Sequence, residues 1–168
     1  MGSDIPAHLR EAHPPAPWLV RSTSPLHCLV AFASGAVLQH LFGLPLPQGG
    51  VREALHVAGT VLANAGLLLV LWSFALFARL RTTILPGEAP TRLVRGGPYR
   101  WTRNPVYLGM LASYAGLALM YDVPWALLTL PGPVWILQRA IIPYEESRLH
   151  ARFGRDYVAY REAVRRWL

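Results

Sequence analysis

The stretch RNPVYLG places Arg103, Asn104, Pro105 and Tyr107 at the mouth of an apolar run, and PYEES sets two adjacent carboxylates, Glu145 and Glu146, just past another. An arginine offers a planar fork of donors that matches a carboxylate. A glutamate accepts from an ammonium or a hydroxyl. Tyr99, Tyr107 and Tyr144 add faces for a cation or a flat ring. Charged groups beside segments fit for lipid are costly unless they are paired or used. The two stretches therefore read as the two sides of one site for a charged ligand. Taken singly, each has a plainer reading. Arg103 and Asn104 cap and anchor a span at the interface, and Glu145 with Arg148 forms a helix-surface pair.

The elements that would position these residues are apolar. The chain has 168 residues, enough for one domain, with 53% hydrophobic and 15% charged residues, a balance typical of small membrane proteins. Four apolar segments are expected: Leu26 to Leu46, Leu55 to Leu80, Val106 to Tyr121, and Val123 to Ile142 with a break at the PGP of Pro131 to Pro133. The turn YDVP joins the last two into a helical hairpin. Residues 1–24 are polar and proline-rich and read as a cytosolic arm without the features of a signal peptide. At the other end Phe153, Tyr157, Tyr160, Val164 and Trp167 follow helical spacing, which predicts an amphipathic cytosolic helix capping the site. The predicted fold is thus an all-α integral membrane protein. It has about four transmembrane helices and divides into an arm (1–24), two leading spans (25–80) and a core (81–168).

All sixteen basic residues are arginines and the formal charge is +7. Four spans put every arginine except Arg52 on one side, which the positive-inside rule makes cytoplasmic together with both termini. Arginines gathered at membrane ends account for the basic charge without a nucleic-acid stripe. Cys28 is the only cysteine, and no histidine pair shows zinc-enzyme spacing, so no metal site is expected. No glycine-rich fingerprint of a Rossmann fold or P-loop is present.

Read in order, TRLVRGGPYRWTRNPVYLG, the hairpin, YEESRLHARFGRDYVAY and the late RRW resemble the superfamily of membrane-embedded methyltransferases that contains the isoprenylcysteine carboxyl methyltransferases and the phospholipid N-methyltransferases, here as a bacterial inner-membrane member. The resemblance covers about Pro86 to Trp167. It implies S-adenosylmethionine as cofactor, with contacts falling on Leu93, Val94, Tyr99, Arg103, Asn104, Pro105, Val106, Tyr107 and the Glu145/Glu146 pair. It also implies a lipidic or small hydrophobic methyl acceptor. Where the prenylcysteine branch has histidine, this chain has Asn104, which hydrogen-bonds but does not titrate. Asn104 and Arg139 are the candidate catalytic residues, Arg139 either orienting an anionic substrate group or snorkelling to the interface. A carboxylate, an amine or a thiol acceptor stays open. The alternative to an enzyme is a non-catalytic four-span scaffold or lipid-binding protein.

Overall fold

The computed structural model describes residues 24–81 and 91–168. The expected arm, apart from Ser24, lies outside them, as do residues 82–90 of the expected core. The described residues form helices and turns, with no strand. In chain order these are α1 (Ser24–Phe42), α2 (Gly50–Leu80), a 3-10 turn (Gly97–Arg100), α3 (Pro105–Met120), α4 (Pro124–Thr129), α5 (Pro131–Ile136), a π turn (Leu137–Ile141), α6 (Ile142–Phe153) and α7 (Arg155–Ala163). Three stretches are long and apolar enough to cross a membrane: Pro25–Phe42, Gly50–Leu80 and the run Pro124–Phe153. The shorter apolar helix α3 has 16 residues, about 24 Å at the usual helical rise.

The first span ends earlier than its apolar run. Gly43 takes a left-handed φ of 38°. The Gln39 side chain holds Leu44 from both sides, donating to its carbonyl at 3.3 Å and accepting from its N–H at 3.4 Å. A polar residue near the end of an apolar helix thus satisfies backbone groups that lipid would leave unpaired.

α2 and α3 pack against each other through glycine. A Cβ on Gly59 would fall 2.7 Å from the Gly116 carbonyl oxygen, and one on Gly109 would fall 2.6 Å from that of Gly66. The two contacts lie two helical turns apart, so the backbones touch along a seam, the close approach small residues permit between membrane helices. Gly35 of α1 meets the backbone of Ala126 in α4 in the same way, at 2.6 Å. Beside that contact, Thr129 donates to the carbonyl of Ala31 at 2.9 Å and pairs with the Tyr114 hydroxyl at 2.9 Å, tying α1, α3 and α4 together.

The expected break at PGP does not occur. Leu130, between α4 and α5, keeps helical dihedrals of −54° and −37°. Pro124 and Pro131 each open a short helical segment, where a missing N–H costs little, and Pro133 falls within the first turn of α5. The irregularity comes later, at the π turn before Pro143. A proline ring would press on the carbonyl one turn back, and the wider π turn relieves that clash.

The tail also departs from expectation. α6 ends at Gly154, whose φ is 50°, and α7 ends at Ala163. Val164 is extended, with φ −128° and ψ 131°. Tyr157 and Tyr160 are buried as the helical spacing requires, but Val164 and Trp167 lie beyond the helix, in a terminal strap that runs back to the start of α3. At the opposite end of α2, Arg52 donates to Asp122 through Nε at 3.0 Å and His56 lies 3.0 Å from the same carboxylate. Hydrogen bonding from Arg52, then from His56, holds the Asp122 carboxyl below its ordinary range.

Candidate active site

The site forms where the start of α3, the middle of α6 and the terminal strap meet. Pro105 is buried at the first turn of α3 and fixes the entry angle of the helix. Just before it, the backbone N–H of Arg103 donates to the carbonyl of Arg165 at 2.9 Å. The Arg166 carbonyl accepts twice, from Thr102 Oγ1 and from Asn104 Nδ2, each at 3.0 Å. Thr102 Oγ1 also accepts from the Asn104 N–H at 3.2 Å. Asn104 occupies the N-cap position, yet its side chain makes no cap bond. Its amide holds the strap instead, which sets aside the capping role that its sequence position suggested.

The two glutamates face different partners. Glu145 Oε1 accepts from the Tyr107 hydroxyl at 2.5 Å. Glu146 is gripped on both oxygens by Arg166, whose Nε lies 3.1 Å from Oε1 and whose NH2 lies 2.6 Å from Oε2. Arg103 NH2 also reaches Glu146 Oε1, at 3.3 Å. Arg103 is 11% exposed in its side chain, and its Nε and NH1 are buried with no hydrogen-bond partner. Buried guanidinium donors left unmade are costly, so they mark a place where an acceptor belongs.

Of the other expected contacts, Val94 is buried and Leu93 half-buried ahead of the 3-10 turn. Tyr99, within that turn, stacks edge-on against Phe77 of α2 at 5.5 Å, and its carbonyl accepts from the Tyr160 hydroxyl at 2.8 Å. Burial, reinforced by Tyr160 and Glu145, pushes the Tyr99 phenol well above its ordinary range, so it stays protonated. Val106 and Tyr107 are half-buried on the first turn of α3. Tyr144 packs on the cluster of Leu137, Ile141 and Ile142, and Arg148 lies over its ring at 5.9 Å. Arg139 is exposed in the π turn and joins none of the cluster's ion pairs.

The structure therefore joins Arg103, Asn104 and Glu146 through Arg166, sets the Tyr107–Glu145 pair next to them in the chain, and leaves Arg139 outside both sets of contacts. Sequence reasoning missed Thr102 and Arg166. The late RRW carried a signal for Arg166; a lone threonine in a polar loop carried none.

A helical membrane protein with a buried Arg–Glu–Tyr cluster at the end of its spans is the class this geometry defines. The family model for phospholipid methyltransferases matches residues 54–156. The chain belongs to that family. It is also similar to Protein-S-isoprenylcysteine O-methyltransferase B of Arabidopsis thaliana, with 31% identity over 108 residues, 64% of this chain and 52% of the relative. Protein-S-isoprenylcysteine O-methyltransferase A of the same plant is 38% identical over 72 residues, 43% of this chain and 36% of the relative. A probable protein-S-isoprenylcysteine O-methyltransferase of Oryza sativa subsp. indica is 34% identical over 77 residues, 46% of this chain and 40% of the relative. The chain spans about half or less of the length of these curated relatives. No solved structure matches. The family model and the relatives carry the names of different acceptors.

Proposed function

We propose that this chain is an integral-membrane methyltransferase that takes a methyl group from S-adenosylmethionine and passes it to a lipidic acceptor. The observation that carries the reading is the buried Arg103 guanidinium, whose Nε and NH1 lack an acceptor. Its third nitrogen is held by Glu146, so the open donors are fixed in place and suit a carboxylate. Glu145 gives one oxygen to Tyr107 and can accept with the other from an ammonium or a ribose hydroxyl. These donors and acceptors fit the amino-acid and ribose ends of S-adenosylmethionine.

When bound, that group supplies an electrophilic methyl on a positively charged sulfur. The chain's own work is to bind, align and keep water out. Holding reactants in line contributes roughly 7–11 kcal/mol through effective molarity. Leu93, Val94, Tyr99, Pro105 and Val106 form the apolar walls of this reading. Asn104 holds the strap over the site and carries no proton. Arg139, exposed on the same continuous helix as the glutamates, is proposed to meet an anionic group of the acceptor at the membrane surface. A carboxylate or thiolate acceptor arrives ready to react, whereas an ammonium must first lose a proton. The site faces the cytoplasmic surface of a bacterial inner membrane in this reading, with both termini on that side.

Calorimetry with S-adenosylhomocysteine on the purified protein, followed by radiolabelled methyl transfer to total membrane lipid and to prenylcysteine analogues with mass identification of the product, tests the reading. Saturable binding that Arg103→Ala abolishes is expected. A folded protein that binds no S-adenosylhomocysteine would leave the non-catalytic scaffold.

A further inference from the structure

We infer that the depression between the 3-10 turn and α7 is a binding site for the headgroup phosphate of an anionic phospholipid. Arg95, Arg100, Ala159, Tyr160, Ala163 and Val164 line it, and it encloses about 440 Å³. The two arginines differ in their state. Arg95 is already placed, its NH2 donating to the Asp156 carbonyl at 2.7 Å and lying 3.3 Å from Asp156 Oδ1. The Asp156 side chain is 78% exposed, so water screens it and the cation beside it is only partly offset. Arg100 is exposed and its guanidinium forms no hydrogen bond or ion pair with any described residue.

Depth in the bilayer follows from the neighbouring indoles. Trp101, 61% exposed, meets Trp72 of α2, 47% exposed, edge to face at 5.7 Å. Exposed indoles at the end of a span settle at headgroup level. The turn is held there by Gly97, whose φ of 56° brings it against the Trp72 ring; a Cβ at Gly97 would lie 3.4 Å from Trp72 Nε1. Arg100, next to Trp101, is thereby set among the headgroups. Ala159, Ala163 and Val164 give the depression an apolar wall that a free inorganic anion has no use for. A phosphodiester with its glycerol and first methylenes uses both the cations and that wall. The negative surface of a cytoplasmic leaflet favours such a ligand. The inference does not rest on methyl transfer. The two sites share one wall, because the Tyr160 hydroxyl is committed to the carbonyl of Tyr99, and a lipid seated here braces the turn that carries Tyr99.

Native mass spectrometry of the full chain in detergent, titrated with dioleoyl phosphatidylglycerol or dioleoyl phosphatidylcholine, tests the inference. The wild type is expected to take one phosphatidylglycerol in preference to phosphatidylcholine. Arg100→Gln, on the surface and with no partner to lose, should weaken that binding about fivefold and remove the preference, with an unchanged melting curve in lipid-free detergent. Arg152→Gln, an exposed arginine on α6, should leave both intact. Equal affinity in Arg100→Gln and wild type, an equal loss in Arg152→Gln, or full displacement by an equimolar amount of inorganic phosphate would each overturn it.

Discussion

Glu145 and Glu146 are neighbours in sequence with different surroundings, and the difference assigns them different work. Glu146 has both oxygens taken by Arg166 and one shared with Arg103, so it positions Arg103 and has little left for a ligand. Glu145 keeps one oxygen outside its bond to Tyr107. We expect Glu145→Gln to weaken S-adenosylhomocysteine binding by about 1.5–3 kcal/mol, the range for a hydrogen bond to a charged group, with melting little changed. Glu146→Gln should lower melting as well as affinity, because it leaves two arginines facing an uncharged amide. Calorimetry beside thermal melting checks both, and equal effects of the two variants in both measurements would refute the division. Asn104 allows a sharper comparison. Its amide donates to the Arg166 carbonyl, and an aspartate there would set oxygen against oxygen. Asn104→Asp is therefore expected to release the strap and lower both melting and methyl transfer, while Asn104→His, which can still donate, should retain part of the activity. Activity assays with trypsin sensitivity at Arg165 and Arg166 as the second readout would show it; wild-type behaviour in Asn104→Asp would return Asn104 to a plain interfacial residue.

At the scale of elements, the helices were legible in the sequence because lipid-facing runs and arginine-rich ends leave a strong pattern. What the pattern could not carry was the backbone between and after them. Pro131 and Pro133 look like a break, but both stand in the first turn of α5, where a missing N–H costs little, and the helix continues; Pro143, outside the expected interruption, is the one that follows the π turn. Val164 and Trp167 keep helical spacing, yet the chain is extended there, since the carbonyls of Arg165 and Arg166 are drawn to Thr102, Arg103 and Asn104. No local propensity encodes a tertiary contact of that separation. The glycine seam was equally hidden, for Gly59, Gly66, Gly109 and Gly116 become meaningful only when α2 and α3 are side by side. Substituting Gly116→Val puts a branched side chain into the α2 backbone at Ala63. Overpacking usually costs about 1–3 kcal/mol, and a backbone neighbour that cannot rotate away puts this site at the upper end. Melting in detergent should fall clearly, whereas Gly132→Ala, with open space at its Cβ, should leave it unchanged. A similar response to both would remove the seam as a source of stability.

Across the whole molecule, charge divides between two ends. At the Asp122 end, Arg52 is matched by Asp122, so the one basic residue assigned to that side carries little unbalanced charge. The other end holds Arg95, Arg100, Arg155 and Arg161, all exposed, with Asp156 and Glu162 the exposed acids on α7. Translocating an excess of arginine across a membrane is disfavoured, so the end rich in arginine is expected to face the cytoplasm. The candidate site lies at that end, so the proposed orientation would put it within reach of a cytoplasmic methyl donor. Labelling of single cysteines placed in a Cys28→Ser background tests the orientation directly. Gln48→Cys, in the exposed turn between α1 and α2, should react with a membrane-impermeant maleimide in intact cells. Glu162→Cys, exposed on α7, should react only after the membrane is opened. The reverse pattern would place the site on the outer surface, away from any cytoplasmic supply of S-adenosylmethionine, and would refute the orientation and the proposed donor supply together.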